Sequence, residues 1–337
     1  MRSYRTEKET YFNLYLKRRK RLLEKALGMK LSGLVLEKYW DGMKLDLFSL
    51  GENLGRPVMM ETWLAKSNAY HQRKLLSMVD SLDEGDVVYL TPEFQSEHMA
   101  ELTAKVRKSP KPLCISFLRV NETVNTHLAR LEELNRLDVY GNLLDELDAV
   151  KPMLELVERV ESPTYVDIMP RAIQNCVDMD FQNRATVNRY LIDQLRRHVP
   201  DFIPVHHEKH RVENHILTYG GGVTGVQYFL TPQDSRGIAF VELRFEANRR
   251  ALFDYFRGLR AELRQKIDGN VVFQDGVIAV RFRPYPDVRR TVSELVAVFR
   301  DMVKTITREV YAMAKNQWDS RERTKTWTNV AKFPAMR

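Results

Sequence analysis

The chain has 337 residues, of which 44% are hydrophobic and 29% are charged, and its formal net charge is +8. One hydrophobic core stops growing at roughly 250–300 residues, so this length predicts two compact units, and the composition excludes disordered, collagen-like and disulfide-rich chains. The sequence has neither the ~20 apolar residues of a membrane span nor a recognisable secretory signal, which predicts a cytoplasmic protein without membrane contact. Cys114 and Cys176 are therefore expected to be reduced core thiols.

The first 30 residues are strongly basic, with ten basic and three acidic side chains. Apolar residues recur there at spacings of three and four, which predicts an amphipathic helix over about 7–28. Its polar face would carry an unbroken basic run of five residues, namely Lys17, Arg18, Arg19, Lys20 and Arg21. Two interpretations of this run are open, a solvated helix face and a contact surface for the nucleic-acid backbone. Residues 121–160 have the opposite net charge, with nine acidic and four basic side chains.

Residues 1–120 have the alternating pattern of an α/β domain. Three strand-like segments follow the first helix, and a series of helix, strand, helix and strand completes the domain. The segments are strands at 33–38, 44–50 and 57–63, a helix at 68–83, a strand at 86–90, a helix from Thr91 and a strand at 113–120. Since a strand, a helix and a second strand form a crossover unit, we expect parallel pairing in the middle of the sheet.

The rest of the chain is predicted to form a helical connector at 121–215, an α+β domain at 216–315 and a tail at 316–337. In the α+β domain, the strand over 277–283 alternates apolar side chains with Arg281 and Arg283. This alternation places both arginines on one face of the sheet. A contact surface for backbone phosphates and an ordinary solvated face are both open interpretations.

Two acidic residues stand inside otherwise apolar strands, Asp46 in the segment 44–50 and Glu61 in the segment 57–63. A carboxylate in such a place is unfavourable unless it is paired or bound to a cation. If both side chains point into one notch, they present the hard oxygens that Mg²⁺ prefers alongside waters and substrate phosphates. The alternative is that both lie on a solvated sheet face and bind nothing.

The order of helix, strand, Asp-bearing strand, Glu-bearing strand, helix and strand resembles the PD-(D/E)xK nuclease-like superfamily. More narrowly, the chain resembles a bacterial family of uncharacterised proteins whose N-terminal domain has that fold. The likeness covers about residues 30–120 and rests on 44–48 (KLDLF), 58–76 (VMMETWLAKSNAYHQRKLL) and 88–98 (VYLTPEFQSEH). It implies an N-terminal, restriction-endonuclease-like mixed sheet flanked by helices.

The resemblance also implies roles for individual residues. Asp46 and Glu61 would be the acids that bind Mg²⁺ or Mn²⁺, and the backbone carbonyl of Thr62 would be a third ligand. The position of the superfamily's lysine is occupied by Trp63, which can neither manage a proton at an attacking water nor stabilise a phosphorane. This departure puts the activity of the site in question.

Three side chains near Trp63 are candidates to replace the missing lysine. They are Lys66, His71 and Lys74. Helical spacing puts His71 and Lys74 on one face of the predicted helix, so either side chain can reach the same site.

These features lead to two main functional hypotheses. The first is a divalent-metal-dependent nuclease that hydrolyses DNA, in a system of defence against phages or mobile elements. The second is a catalytically impaired descendant that binds nucleic acid or a partner as a regulatory subunit, with the Trp63 indole filling the pocket or stacking on a base. A protein–protein adaptor that works through the acidic helices is a third reading. A homodimer is expected only by analogy with the fold.

Overall fold

A computed structural model of the chain describes residues 7–51, 55–165, 181–208 and 211–314. These residues form two compact units, in agreement with the expectation from chain length. The first unit draws its described residues from the segments 1–134, 142–177 and 206–209, and the second from 135–141, 178–205 and 210–337. Among the helices within the described ranges, none has the length and apolar character needed to cross a membrane.

The first unit is built on a mixed sheet of six strands. Their order across the sheet is β1 (Val35–Leu36), β4 (Leu47–Leu50), β5 (Pro57–Thr62), β6 (Gly85–Thr91), β7 (Leu113–Val120) and β8 (Leu154–Glu161), and the hairpin of β2 (Tyr39–Trp40) and β3 (Met43–Lys44) precedes β4. The β5–β6 and β6–β7 pairs are parallel, while the outer pairs are antiparallel. The predicted α/β class and the parallel centre of the sheet are therefore confirmed.

Helices cover both faces of this sheet. Asn13 of α1 (Glu7–Arg18) accepts a hydrogen bond from the Thr62 hydroxyl on one face, and α2 (Lys20–Leu27) follows α1. On the other face, α3 (Ala69–Ser81) and α4 (Ser96–Arg107) bury apolar side chains in one cluster with β5, β6 and β7. Because neighbouring residues of a strand point to opposite faces, Glu61 faces α3 while Thr62 faces α1.

Gly85 allows β6 to begin close against β5. Its φ is +141°, and a Cβ atom at this position would lie 2.5 Å from the Pro57 carbonyl oxygen. An L side chain would therefore be strained and would also clash with backbone. The glycine thus sets the spacing of the two strands that carry the centre of the sheet.

The N-terminal helix differs from the prediction of one helix over 7–28. It is broken at Arg19, whose backbone has φ −100° and ψ 42°, outside the helical range. The helix ends near Gly28, as predicted, because Gly28 takes the left-handed conformation of a C-cap.

The chain segment expected to be a helical connector also completes the first sheet. It contains α5 (Thr123–Leu131), α6 (Arg136–Gly141), a 3₁₀ turn (Leu143–Ala149), β8, α7 (Arg184–His198) and a second 3₁₀ turn (Ile203–His206). β8 pairs antiparallel with β7 along seven residue pairs. The first unit therefore extends beyond residue 120, because the open edge of β7 is paired by a later segment.

The second unit has a separate antiparallel sheet and segregated helices, as expected for an α+β unit. The strands lie in the order β12 (Val272–Gln274), β13 (Val277–Phe282), β11 (Ala239–Phe245), β10 (Val226–Thr231) and β9 (Leu217–Gly220). Besides α6 and α7, its helices are α8 (Arg250–Gly258), α9 (Arg260–Lys266) and α10 (Val288–Met302), which continues into a π-helical turn (Val303–Thr307). Helices α8 and α9 are separated by a break after Gly258, a residue of low helix propensity.

Two predictions concern residues that are only partly covered. Cys114 is buried and reduced, as expected, whereas Cys176 lies outside the described residues. The predicted tail at 316–337 also lies outside them.

Candidate active site

Asp46 and Glu61 lie close together on one face of the first sheet. Asp46 stands directly before β4, and Glu61 is the fifth residue of β5, the strand that pairs with β4. Both residues are almost completely buried, with exposed fractions of 4% and 2%. Two buried carboxylates in one notch require cationic or hydrogen-bonding partners, which the surrounding elements supply.

In each carboxylate, one oxygen contacts a neighbouring N–H or ring nitrogen, and the other oxygen faces a shared cation. Asp46 Oδ2 accepts a hydrogen bond of 2.9 Å from the Thr62 amide, and Glu61 Oε1 lies 3.1 Å from His71 Nδ1. The Lys74 ammonium forms an ion pair with Glu61 Oε2 and lies 4.0 Å from Asp46 Oδ1. Both carboxylates therefore face the Lys74 ammonium.

The N-terminal half of α3 positions both basic partners. Asn68 caps the helix, because its side-chain oxygen accepts hydrogen bonds from the amides of Tyr70 and His71. His71 and Lys74 are one helical turn apart and so project from one face toward Glu61.

Trp63 flanks the site and does not fill it. Its ring lies against the His71 ring, with a centroid separation of 4.2 Å and an interplanar angle of 30°. Its indole nitrogen donates a 2.9 Å hydrogen bond to the Lys66 carbonyl oxygen. Trp63 therefore restrains the orientation of His71.

Lys66 is not brought to the carboxylates. Its ammonium pairs at 2.6 Å with Glu93, and both side chains are more than half exposed. Of the three predicted replacements for the missing lysine, the structure places His71 and Lys74 at Glu61 and Lys66 on the surface.

Tyr89 is a site residue that the sequence did not single out. It lies opposite Glu61 in the β5–β6 register and is buried. Its hydroxyl finds no hydrogen-bond partner within the described segments. Burial, followed by the nearby negative charge of Glu61, raises the pKa of the Tyr89 phenol. In sequence, an aromatic residue inside the apolar run 86–90 is indistinguishable from an ordinary core residue.

The carboxylates of Asp46 and Glu61 can be compared with the ligand sets that magnesium ions use. Within the residues that the structure describes, no group of three or more histidine, cysteine, aspartate or glutamate side chains is placed to hold a metal ion. Mg²⁺ is, however, commonly bound by one or two carboxylates together with waters and substrate phosphates. The convergence of Asp46 Oδ1 and Glu61 Oε2 on one cation matches that donor set. The Thr62 carbonyl as a further ligand stays a prediction.

The basic run on α1 and α2 is largely engaged by the protein itself. Arg19 binds Asp148 through two hydrogen bonds of 3.0 and 2.7 Å and binds Asp145 through a third. Lys17 lies 3.1 Å from His206 Nδ1, and Lys20 pairs with Glu24. Arg18 also has interactions within the protein, while Arg21 is exposed. The run is therefore a weaker candidate for phosphate binding than its sequence suggests.

The two arginines predicted to line the second sheet have different surroundings. Arg281 and its neighbour Arg244 both bind the buried carboxylate of Glu242. Arg283 is exposed beyond the end of β13. The positive charge of Arg281 is thus shared with an internal acid, which leaves Arg283 as the better candidate for an external phosphate.

The comparisons with known proteins give no assignment. No protein-family model matches the chain, and no curated protein matches it. The functional proposal therefore depends on the residues and geometry of the site itself.

Proposed function

We propose that the first unit is a divalent-metal-dependent phosphodiesterase of the PD-(D/E)xK type that acts on DNA. The observation that carries this proposal is the convergence of Asp46 and Glu61 on one cation, with a lysine from the following helix at the same point. The mixed sheet, with Asp46 directly before β4 and Glu61 within the adjacent β5, supports the nuclease-like fold. A divalent ion held by these acids would supply an activated water and neutralise charge on the phosphodiester.

In this proposal, the chain's own residues divide the work around that ion. Lys74 takes the place of the superfamily lysine, because its ammonium pairs with both carboxylates. His71 fixes the orientation of Glu61, and Trp63 fixes the orientation of His71. Lys74 on α3 thus performs the function that a lysine performs in the superfamily, and Trp63, at the position of that lysine, supports His71 instead.

Cleavage by purified protein tests the proposal. We expect degradation of DNA with Mg²⁺ or Mn²⁺, no degradation with a chelator, and loss of activity to background in Glu61→Gln. Glu93→Gln is the matched control, since Glu93 is an exposed acid paired with Lys66, and it should keep the native activity. Absence of cleavage of every DNA and RNA form by clean protein contradicts the hydrolytic role.

A second candidate function is nucleic-acid binding without turnover. It is favoured by one observation, the tryptophan at the position of the superfamily lysine. Salt-sensitive DNA binding that persists unchanged in Glu61→Gln, together with no cleavage, would select this candidate over the first.

A further inference from the structure

The site holds an internal cation at the place where a metal ion would bind. Two of the four carboxylate oxygens are occupied by fixed donors, the Thr62 amide and His71 Nδ1. The other oxygen of each carboxylate, Asp46 Oδ1 and Glu61 Oε2, is the one closest to the Lys74 ammonium. These are the same two oxygens that the metal-binding proposal requires.

A divalent ion and this ammonium cannot share that position. Like charges a few ångströms apart repel strongly where water is largely excluded, and both acids are buried. The Lys74 side chain is 20% exposed, and a lysine has a flexible four-carbon stem. Charge repulsion therefore favours movement of the Lys74 side chain away from the carboxylates when a metal ion binds, and its flexible, partly exposed stem permits that movement.

We propose that Lys74 exchanges between two partners, the carboxylates in the metal-free site and a phosphate oxygen of the nucleic acid in the loaded site. This inference rests on the proposed metal-dependent function. Once displaced, the ammonium lacks an anionic partner, and a phosphodiester supplies one beside the metal. Metal binding and nucleic-acid binding are then coupled, so that each strengthens the other by the same factor.

Calorimetric titration of the full chain with Mn²⁺ tests the exchange. A phosphorothioate oligothymidine serves as the nucleic-acid probe, because it keeps the backbone charge and resists cleavage. In the native protein, we expect the oligonucleotide to tighten Mn²⁺ binding by roughly 5- to 150-fold, the usual range for coupled sites. In Lys74→Met, Mn²⁺ should bind more tightly than to the native protein without the oligonucleotide. The oligonucleotide should then give a clearly smaller gain than in the native protein, because only direct contact of the phosphates with the ion remains.

Two further variants keep the test independent of folding. Lys105→Met removes the same charge from an exposed pair with Asp80, so it should keep both the native Mn²⁺ affinity and the coupling. If Lys74→Met is too unstable to study, Lys74→Arg still tests the exchange, because a guanidinium fork can hold both carboxylates and should weaken Mn²⁺ binding.

The melting temperature gives a second measurement on the same variants. Lys74→Met leaves two buried acids without their shared cation, so its melting temperature without metal should fall below that of Lys105→Met. Added Mn²⁺ should restore it by a larger shift than in the native protein.

The possible outcomes separate this inference from the proposed function. If Lys74→Met binds Mn²⁺ with the native affinity and shows the native coupling, the exchange is overturned, whereas the proposed metal-dependent nuclease function is unaffected. If Mn²⁺ binds to neither the native protein nor Lys74→Met, both the exchange and the metal-dependent function are overturned.

Discussion

Trp63 contacts His71, the residue that lies against the Glu61 carboxylate. At the position that corresponds to the superfamily's lysine, the indole packs against the His71 ring and donates a hydrogen bond to the Lys66 carbonyl oxygen. His71 in turn holds one oxygen of Glu61. This chain of contacts restrains the Glu61 side chain, which is the role that outer partners commonly have for the ligands of metal sites.

The contact between His71 and Glu61 leads to a prediction about metal affinity. His71→Ala should weaken Mn²⁺ binding by about 10- to 100-fold, the usual effect of losing a partner that orients a metal ligand. His71→Asn should keep most of the affinity, because its amide can donate a hydrogen bond from nearly the same position as Nδ1. Calorimetric titration of both variants measures the difference.

The matched control is His198→Ala, which removes an exposed histidine at the end of α7 and should leave Mn²⁺ binding unchanged. Equal affinities in the native protein and His71→Ala would show that Glu61 does not need this contact for orientation.

At the scale of elements, the opposite charges of the first helices and the acidic segment are explained by pairing. Arg19, at the break between α1 and α2, binds Asp145 and Asp148 in the 3₁₀ turn. Lys8 of α1 pairs with Glu132, the residue that follows α5. These basic side chains thus connect the first helices to the acidic segment of the first unit. Because they are paired within the protein, less positive charge is available to a ligand than the number of basic residues suggests.

The pair of Arg19 and Asp148 predicts a pH-dependent contribution to stability. The hydrogen bond from Arg19 is the largest influence on the pKa of Asp148 and lowers it from the ordinary value of 3.8. A lowered pKa in the folded state means that the carboxylate stabilises the fold above the unfolded-state pKa and that this contribution is lost as pH falls through the folded-state pKa. Asp148→Asn should therefore lower the free energy of unfolding at pH 7 by up to about 1 kcal/mol, the upper range for exposed pairs.

Urea unfolding followed by circular dichroism measures this effect, and the difference from the native chain should shrink as the pH is taken below 3.8. Asp193→Asn, in an exposed pair with Arg197 four residues away on α7, should change stability by less, about 0.2–0.5 kcal/mol. A difference for Asp148→Asn that stays constant down to low pH would contradict the assignment to this ion pair.

Considered as a whole molecule, much of the first unit follows from short-range pattern. The apolar runs that become β6 and β7 are bounded by turn residues, and the structure places these strands within a residue of the prediction. The helical spacing that becomes α3 also puts His71 and Lys74 on one face, where both meet Glu61. These features depend on residues that are close in sequence.

The features that the sequence could not predict depend on distant residues. β8 has the sequence LELVERVE, which resembles an acidic helix, and it is a strand because the edge of β7 pairs with it. The partners of Arg19 lie 126 and 129 residues away. Tyr89 belongs to the site only because β6 lies beside β5. In each case tertiary context overrides a local signal.

The most direct test of the central claim is a crystal structure of the protein with Mn²⁺, with the ion located by its anomalous scattering. We predict one ion bound to Asp46 Oδ1 and Glu61 Oε2, with the Lys74 ammonium withdrawn from both carboxylates. An ion located elsewhere, or Lys74 still seated between the two acids at saturating Mn²⁺, would contradict the account.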